Sequence, residues 1–294
     1  MQKPKYFNAE NFAGITSEMK TAFDQQGVLV LENMIAADQC DKLMARMTEL
    51  VEAFDPSVNK TIFSTLNREQ EQEKYFLDSG GDIRFFFEDG AFDAEGNLVQ
   101  PIEQSLNKAG HAMHDKDPVF NSFSRQKNIK AVAEGLGLAQ PILLQSMYIF
   151  KPPHIGGEVV CHQDSTYLWT EPQSCLGIWF ALEDATLENG CLWGIAGQHH
   201  EESPKKRMKR TAIGADETHE EVFDTSPFPE DQKVALPVPK GTVIAFGGQF
   251  PHLSSANTSD KSRHAYTLHL IDGACHYPQD NWLIREGNDP VSGF

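Results

Sequence analysis

Cysteine is scarce and scattered in this chain: Cys40, Cys161, Cys175, Cys191 and Cys275 are odd in number, widely spaced and contain no C-x-x-C pair. That argues against a disulfide framework and suits a reducing compartment. Long apolar runs are missing as well, so nothing reaches the length of a membrane span and membrane insertion is not expected. The start, MQKPKYFNAENF, lacks the basic and apolar regions of a signal peptide, and the end, VSGF, is not a peroxisomal tripeptide. These absences leave a cytoplasmic location as the reading. Positive charge is also in short supply, with 25 Lys and Arg against 42 Asp and Glu, a formal charge of −17 and a pI near 5.0. Phosphate backbones and anionic surfaces are repelled overall. A small-molecule substrate is therefore the expected partner, nucleic acid is not, and a monomer is the default. The one basic cluster, Lys205, Lys206, Arg207, Lys209 and Arg210, reads as a solvated loop. No internal repeat or low-complexity tract is present.

What the chain does have is enough apolar material for a core, 40% hydrophobic and 10% aromatic. The 294 residues are read as a single domain, 1–294, with a largely helical accessory region over 1–140 and a β-rich core over 141–275. Helical spacing over 16–26 and 36–54, with Asp38 as a cap, brackets a short strand VLVLEN. IRFFFEDG reads as a strand and 101–140 as helical. From Pro141 the texture becomes short β segments separated by Gly, Pro, Asn and Asp turns, the rhythm of a sandwich or jelly roll. The polar stretch 198–239 is a candidate lid.

In EVVCHQDS, His162 and Asp164 stand two apart on an expected strand, so both side chains face the same side and can grip one ion. His252 follows the strand-like GTVIAFGG through a Gly- and Pro-containing bend and can supply a third ligand. Two imidazoles and one carboxylate form the facial triad that suits Fe(II) and leaves three positions open. Arg263 opens the segment RHAYTLHL, expected to pair with the His252 segment, where its guanidinium can clamp a carboxylate bidentately. Each taken alone has a bland reading: a core or surface histidine, and a surface ion pair for Arg263.

Taken in order, H-x-D, a distant His and an Arg about ten residues further on is the pattern of Fe(II)/2-oxoglutarate oxygenases of the double-stranded β-helix fold. Through QSMYIFKPPHIGGEVVCHQDSTYLWTEP, LGIWFALEDATLENGCLW, SDKSRHAYTLHL and NKAGHAMHDKDPVF, the sequence resembles the phytanoyl-CoA dioxygenase family, particularly its animal branch of domain-containing proteins. The resemblance implies a mainly β fold with accessory helices around a double-stranded β-helix (jelly roll, cupin-like) core. It implies Fe(II), 2-oxoglutarate and O2 as cofactor and co-substrates, with His162, Asp164 and His252 on iron and Arg263 on the far carboxylate of 2-oxoglutarate. Lys108, Met147, Gln163 and Trp179 match positions that touch the co-substrate, and Gln145 and Thr267 are further pocket candidates. Without the family match, Lys108 would read as a solvated helix lysine, and Met147 and Trp179 as core. Phe85, Phe86, Tyr148, Tyr167 and Trp169 are aromatics that can line an apolar pocket.

The glycine of the turn Glu188-Asn189-Gly190 is read as conformational. Where relatives carry Pro-Gly-Ser-His, this chain has Ala196-Gly197-Gln198-His199, so His199 and His200 are not taken as ligands, nor are His111, His114, His219 and His269. Asp164 argues against halogenation, because related halogenases carry a small residue there. Three rivals stay open: a zinc or manganese hydrolase, a non-catalytic jelly-roll binding module, and a secondary-metabolite tailoring oxygenase performing desaturation, epoxidation or ring formation on the same cofactor site.

Overall fold

The computed structural model describes residues 3–69, 73–200, 204–285 and 290–294. Strand β1 (Tyr6–Asn8) precedes helix α1 (Ser17–Gln26), whose N-terminus is capped by the Thr16 hydroxyl accepting from Met19 N at 3.2 Å. β2 (Val28–Glu32) leads into α2 (Ala37–Glu52), whose N-cap is Ala36. Asp38 sits inside the first turn rather than capping it, where its charge still meets the positive end of the helix.

Next come α3 (Lys74–Leu77), β3 (Ile83–Phe87), β4 (Leu106–His111), α4 (Met113–Lys116), α5 (Pro118–Ser124) and α6 (Lys127–Leu136). The helical expectation for 101–140 therefore holds only from Met113 onward. LNKAGH is a strand because β3 and β5 take up its hydrogen-bonding edges on both sides, which outweighs local propensity. The remaining strands are β5 (Pro141–Ile149), β6 (Val159–His162), β7 (Leu176–Ala181), β8 (Leu192–Gly194), β9 (Lys206–Arg210), β10 (Thr218–Val222), β11 (Val234–Leu236), β12 (Val243–Gly247), β13 (His252–Ser254), β14 (Ala265–Asp272) and β15 (Ser292–Gly293).

They form a nine-stranded sheet in the order β1-β2-β12-β7-β14-β5-β4-β3, with β15 also on β5, and a four-stranded sheet in the order β11-β8-β13-β6. The large sheet is covered on both faces, which explains its unbroken apolar strands. Leu29, Leu31, Ile178, Phe180, Val243 and Ala245 pack on the face that carries the helices. Their alternating neighbours Val28, Val30, Trp179, Ala181, Ile244 and Phe246 pack inward, with Leu192 and Leu236 of the small sheet. This is the jelly roll that the strand rhythm pointed to, with the small sheet forming the second wall.

Two expectations for the region after Gln198 change. Lys206–Arg210 pairs antiparallel with Thr218–Val222, so the basic cluster is a strand and not a solvated loop. Arg207 and Arg210 are buried, Arg207 paired to Asp280 and Arg210 donating to the Trp282 and Leu77 carbonyls at 3.0 Å each. The candidate lid thus contains a hairpin and β11, and its residues 201–203 lie outside the described residues. Among the described residues, no helix is long and apolar enough to cross a membrane.

Candidate active site

β6 and β13 pair antiparallel with His162 directly opposite His252, bringing the two imidazole centroids to 4.3 Å. Asp164 is not on the strand as expected: β6 ends at His162, and Asp164 opens a short 3-10 turn, Asp164–Thr166. Its Oδ1 still lies 3.5 Å from His162 Nε2 and 3.7 Å from His252 Nε2, and one ligand atom from each of the three residues falls within 4.8 Å of the others. The rear atoms fix this orientation. His162 Nδ1 is 2.9 Å from the Val160 carbonyl and His252 Nδ1 is 3.0 Å from that of Phe250, so each Nδ1 must carry the proton and each Nε2 presents a lone pair. Asp164 Oδ2 is engaged by His269 Nε2 at 3.0 Å, leaving Oδ1 turned toward the imidazoles.

The electrostatics keep these groups in the ligating form. Burial, and then the neighbouring His162, pushes His252 down to about 4. Burial alone would raise the Asp164 carboxyl, but the charges of His269 and His252 and hydrogen bonding with His162 and His269 hold it well below the usual carboxylate range. Space for the carboxylate comes from Gly177, where a Cβ would stand 3.0 Å from Asp164 Oδ2 and 2.5 Å from the Phe246 ring.

A cavity of about 170 Å³ adjoins this group. Thr267 of β14 pairs with Met147 of β5 on one side and Trp179 of β7 on the other, so these three form one row across its wall. His269 and Gln145 make the next row, and Lys108 reaches in from β4 with Nζ 3.1 Å from the Phe63 ring centroid. Lys108 is thus a buried strand residue, not a helix-surface lysine. Gln163 is the predicted residue that the fold does not bring to the cavity. Its amide spans to the Gln249 carbonyl at 2.8 Å and the Lys205 N–H at 2.9 Å, bracing the turn that carries Asp164.

Arg263 lies two residues before β14, which pairs with β5 and β7 and not with the His252 strand. The guanidinium therefore reaches the cavity from the large sheet while His252 comes from the small one. It is 1% exposed, its Nε donates to the Gly190 carbonyl at 3.1 Å, and its Cζ lies 5.5 Å from the Trp179 ring centroid. Arg263 Nη1 and Trp179 Nε1 are buried without hydrogen-bond partners. Burial pushes Arg263 down to about 10, and with no ion pair among the described residues it is a cation prepared for an anion. Gly190 serves this geometry: at φ 86 it turns the carbonyl toward Arg263, and a Cβ there would sit 2.6 Å from the Ser255 carbonyl. Asn189 locks the same turn, donating to the Asp184 and Ser262 carbonyls at 2.8 and 3.2 Å.

Several cavity residues escape a reading of motifs. His269 and Ser254 each stand two residues from a chosen residue, Thr267 and His252, and strand alternation alone could have found them. Glu88 and Lys151 carry no such signal, since only the fold joins them. Gly157 N donates to Glu88 Oε2 at 3.1 Å, and Lys151 Nζ donates to the Gly157 carbonyl at 2.5 Å and Ser254 Oγ at 2.7 Å. Burial pushes Glu88 up to about 7 and, with Arg263, Lys151 down to about 7. Of the aromatics, Tyr167 lines the cavity, Phe85, Phe86 and Tyr148 belong to the core, and Trp169 packs on Phe223. His199, set aside as a ligand, reaches the Asp24 carbonyl at 3.1 Å beside α1.

A jelly roll with a converging His-Asp-His group and, in the same cavity, a buried arginine without an ion pair among the described residues offers the donor set of a mononuclear non-haem metal site. The family model described as phytanoyl-CoA dioxygenase (PhyH) matches residues 23–265. The chain is 43% identical over 274 residues to a phytanoyl-CoA dioxygenase of Arabidopsis thaliana, covering 92% of this chain and 94% of the relative. It is 45% identical over 273 residues to phytanoyl-CoA dioxygenase domain-containing protein 1 of Bos taurus, covering 89% and 92%. Among solved structures, it is similar to the α-ketoglutarate-dependent carbocyclase SnoK from nogalamycin biosynthesis, with TM-score 0.64, 19% identity and 99% and 97% of the two chains covered. It is also similar to EctD from S. alaskensis with 2-oxoglutarate and 5-hydroxyectoine, with TM-score 0.62, 20% identity and 99% and 93% covered. The chain belongs to the phytanoyl-CoA dioxygenase family and is an oxidoreductase of the dioxygenase type.

Proposed function

We propose that this protein is an Fe(II)- and 2-oxoglutarate-dependent dioxygenase that hydroxylates a small organic or lipid-like substrate while converting 2-oxoglutarate and O2 to succinate and CO2. One observation carries the reading: three converging ligand atoms share a cavity with a buried guanidinium that has no ion-pair partner among the described residues. That donor set fits Fe(II), and the excess of positive charge fits a dicarboxylate. The structural relatives solved with iron or with 2-oxoglutarate support the same reading.

His162 and His252 would hold the metal through Nε2, and Asp164 through Oδ1. Bound there with 2-oxoglutarate, iron supplies the O2-dependent oxidising chemistry. Arg263 would neutralise the far carboxylate of the co-substrate through its free Nη1, with Trp179 Nε1 as a second donor in reach of the same space. Lys108, Met147, Thr267 and Gln145 complete the wall against which the co-substrate is oriented. The apolar side chains around them keep bulk water out, which strengthens every charge interaction inside.

The test is anaerobic reconstitution with Fe(II), titration with 2-oxoglutarate while following the visible charge-transfer band, and succinate assay once oxygen is admitted. The wild type is expected to form the band, and His162→Ala and Asp164→Ala to bind no iron and release no succinate. Turnover in either variant, or a wild type that takes up zinc and forms no band, refutes the assignment.

A further inference from the structure

Away from the metal ligands and Arg263, the cavity wall includes the apolar side chains of Phe63, Phe76, Leu168 and Trp282, with Lys108 and Arg68 as charged members of the same lining. His111 interrupts this apolar surface, and its protonation is legible from its neighbours. Ser79 Oγ lies 2.5 Å from the Phe76 carbonyl oxygen and 2.7 Å from His111 Nδ1. A hydroxyl has one proton and a carbonyl can only accept, so Ser79 donates to Phe76 and must accept from His111. The proton of His111 is therefore on Nδ1, and Nε2 is a bare lone pair. Full burial and the nearby Lys108 hold the ring neutral. Among the described residues, no donor is bonded to Nε2. On the same wall, Trp282 Nε1 is a buried donor without a partner, and its ring centroid is 5.4 Å from that of His111.

An open acceptor and a buried, open donor on neighbouring rings of one cavity wall select the group that fills them. A carboxylate has no proton to offer His111. An ammonium offers one but cannot accept from Trp282, and it would meet the like charge of Lys108, whose Nζ already lies 3.1 Å from the Phe63 ring centroid. A hydroxyl donates and accepts at a single atom. We propose that the prime substrate is a neutral, largely apolar alcohol whose hydroxyl donates to His111 Nε2 and accepts from Trp282 Nε1. This rests on the oxygenase reading above, because it assigns the remainder of the same cavity to the prime substrate.

The experiment uses a matched set of probes: cyclohexylmethanol, its methyl ether, methylcyclohexane, cyclohexanecarboxylate and cyclohexylmethylammonium. Each is titrated calorimetrically into the full chain loaded anaerobically with Fe(II) and 2-oxoglutarate. The alcohol is expected to bind about tenfold more tightly than the ether or the hydrocarbon, the scale of one neutral hydrogen bond. His111→Phe keeps the ring and should erase that preference. Ser79→Ala, which only frees the choice of tautomer, should reduce it by about twofold to threefold. Tightest binding of the carboxylate or the ammonium, equal binding of alcohol and ether, or no binding of any probe overturns the proposal. A parallel series on metal-free protein, read as the rise in Tm, keeps the two readings apart. Missing charge-transfer absorption refutes the cofactor assignment, whereas a missing alcohol preference in both series refutes the substrate assignment.

Discussion

Replacing Arg263 by alanine removes a buried cation of the cavity whose Nη1 has no partner among the described residues, and it does so without touching a metal ligand. Hydrogen bonds to charged partners contribute about 1.5–3 kcal/mol each, so losing the contact to a co-substrate carboxylate should raise the apparent KM for 2-oxoglutarate by about 10- to 150-fold. The fold should lose little. The guanidinium gives up its 3.1 Å bond to the Gly190 carbonyl, but a desolvated, unpaired charge disappears with it. Arg263→Lys keeps the charge and loses the planar fork, so its KM should fall between those of wild type and alanine. The assay is succinate release against 2-oxoglutarate concentration for KM, with anaerobic titration of the charge-transfer band for affinity, and iron stoichiometry and Tm measured on the same samples. An unchanged affinity for 2-oxoglutarate in Arg263→Ala, with iron still bound, would show that the co-substrate carboxylate lies elsewhere.

Three further outcomes are expected. His269→Ala frees Asp164 Oδ2 from its 3.0 Å partner, and iron affinity measured by competition with a chelator should fall about 10- to 100-fold. Gly190→Ala forces a Cβ to 2.6 Å from the Ser255 carbonyl at φ 86, and urea unfolding should show a loss of about 2–4 kcal/mol together with a raised KM for 2-oxoglutarate. Burial, reinforced by Arg285 and Arg125 against the pull of Asp115, pushes His114 down to about 4. Between that value and the usual 6.5 the unfolded chain binds a proton that the folded chain refuses, so this group makes stability rise with pH across that window and is silent above it. His114→Gln should flatten the slope of unfolding free energy against pH by up to about 1.4 kcal/mol per pH unit there, and an unchanged slope would mean that the ring titrates normally.

The metal group was legible because its chemistry is written locally: a two-residue spacing at the end of one strand, and a histidine after a bend leading into another. Arg263 was legible as a residue but not in its route, because the sequence places it near the His252 segment while its strand belongs to the other sheet. Met147, Thr267 and Trp179 were legible through the family resemblance alone, since apolar strand residues otherwise read as core, and the strand conformation of Lys108 was not legible because pairing with β3 and β5 decides the conformation of 106–111. Glu88, Lys151 and the Ser79–His111 pair depend on contacts between distant segments, for which no motif exists. The basic cluster shows the same limit, since nothing local announces that Arg207 meets Asp280 or that Arg210 meets the Trp282 carbonyl.

Both ligand histidines are steadied from within their own segments, each by the carbonyl two residues earlier, of Val160 and of Phe250. The aim of each ring is therefore a property of a three-residue stretch of backbone and does not depend on the side chains of the opposite sheet. Mutations can then rebuild the large-sheet wall, His269 and its bond to Asp164 apart, without disturbing how the two imidazoles are aimed. A family assembled on this plan is free to exchange substrates while inheriting its metal unchanged.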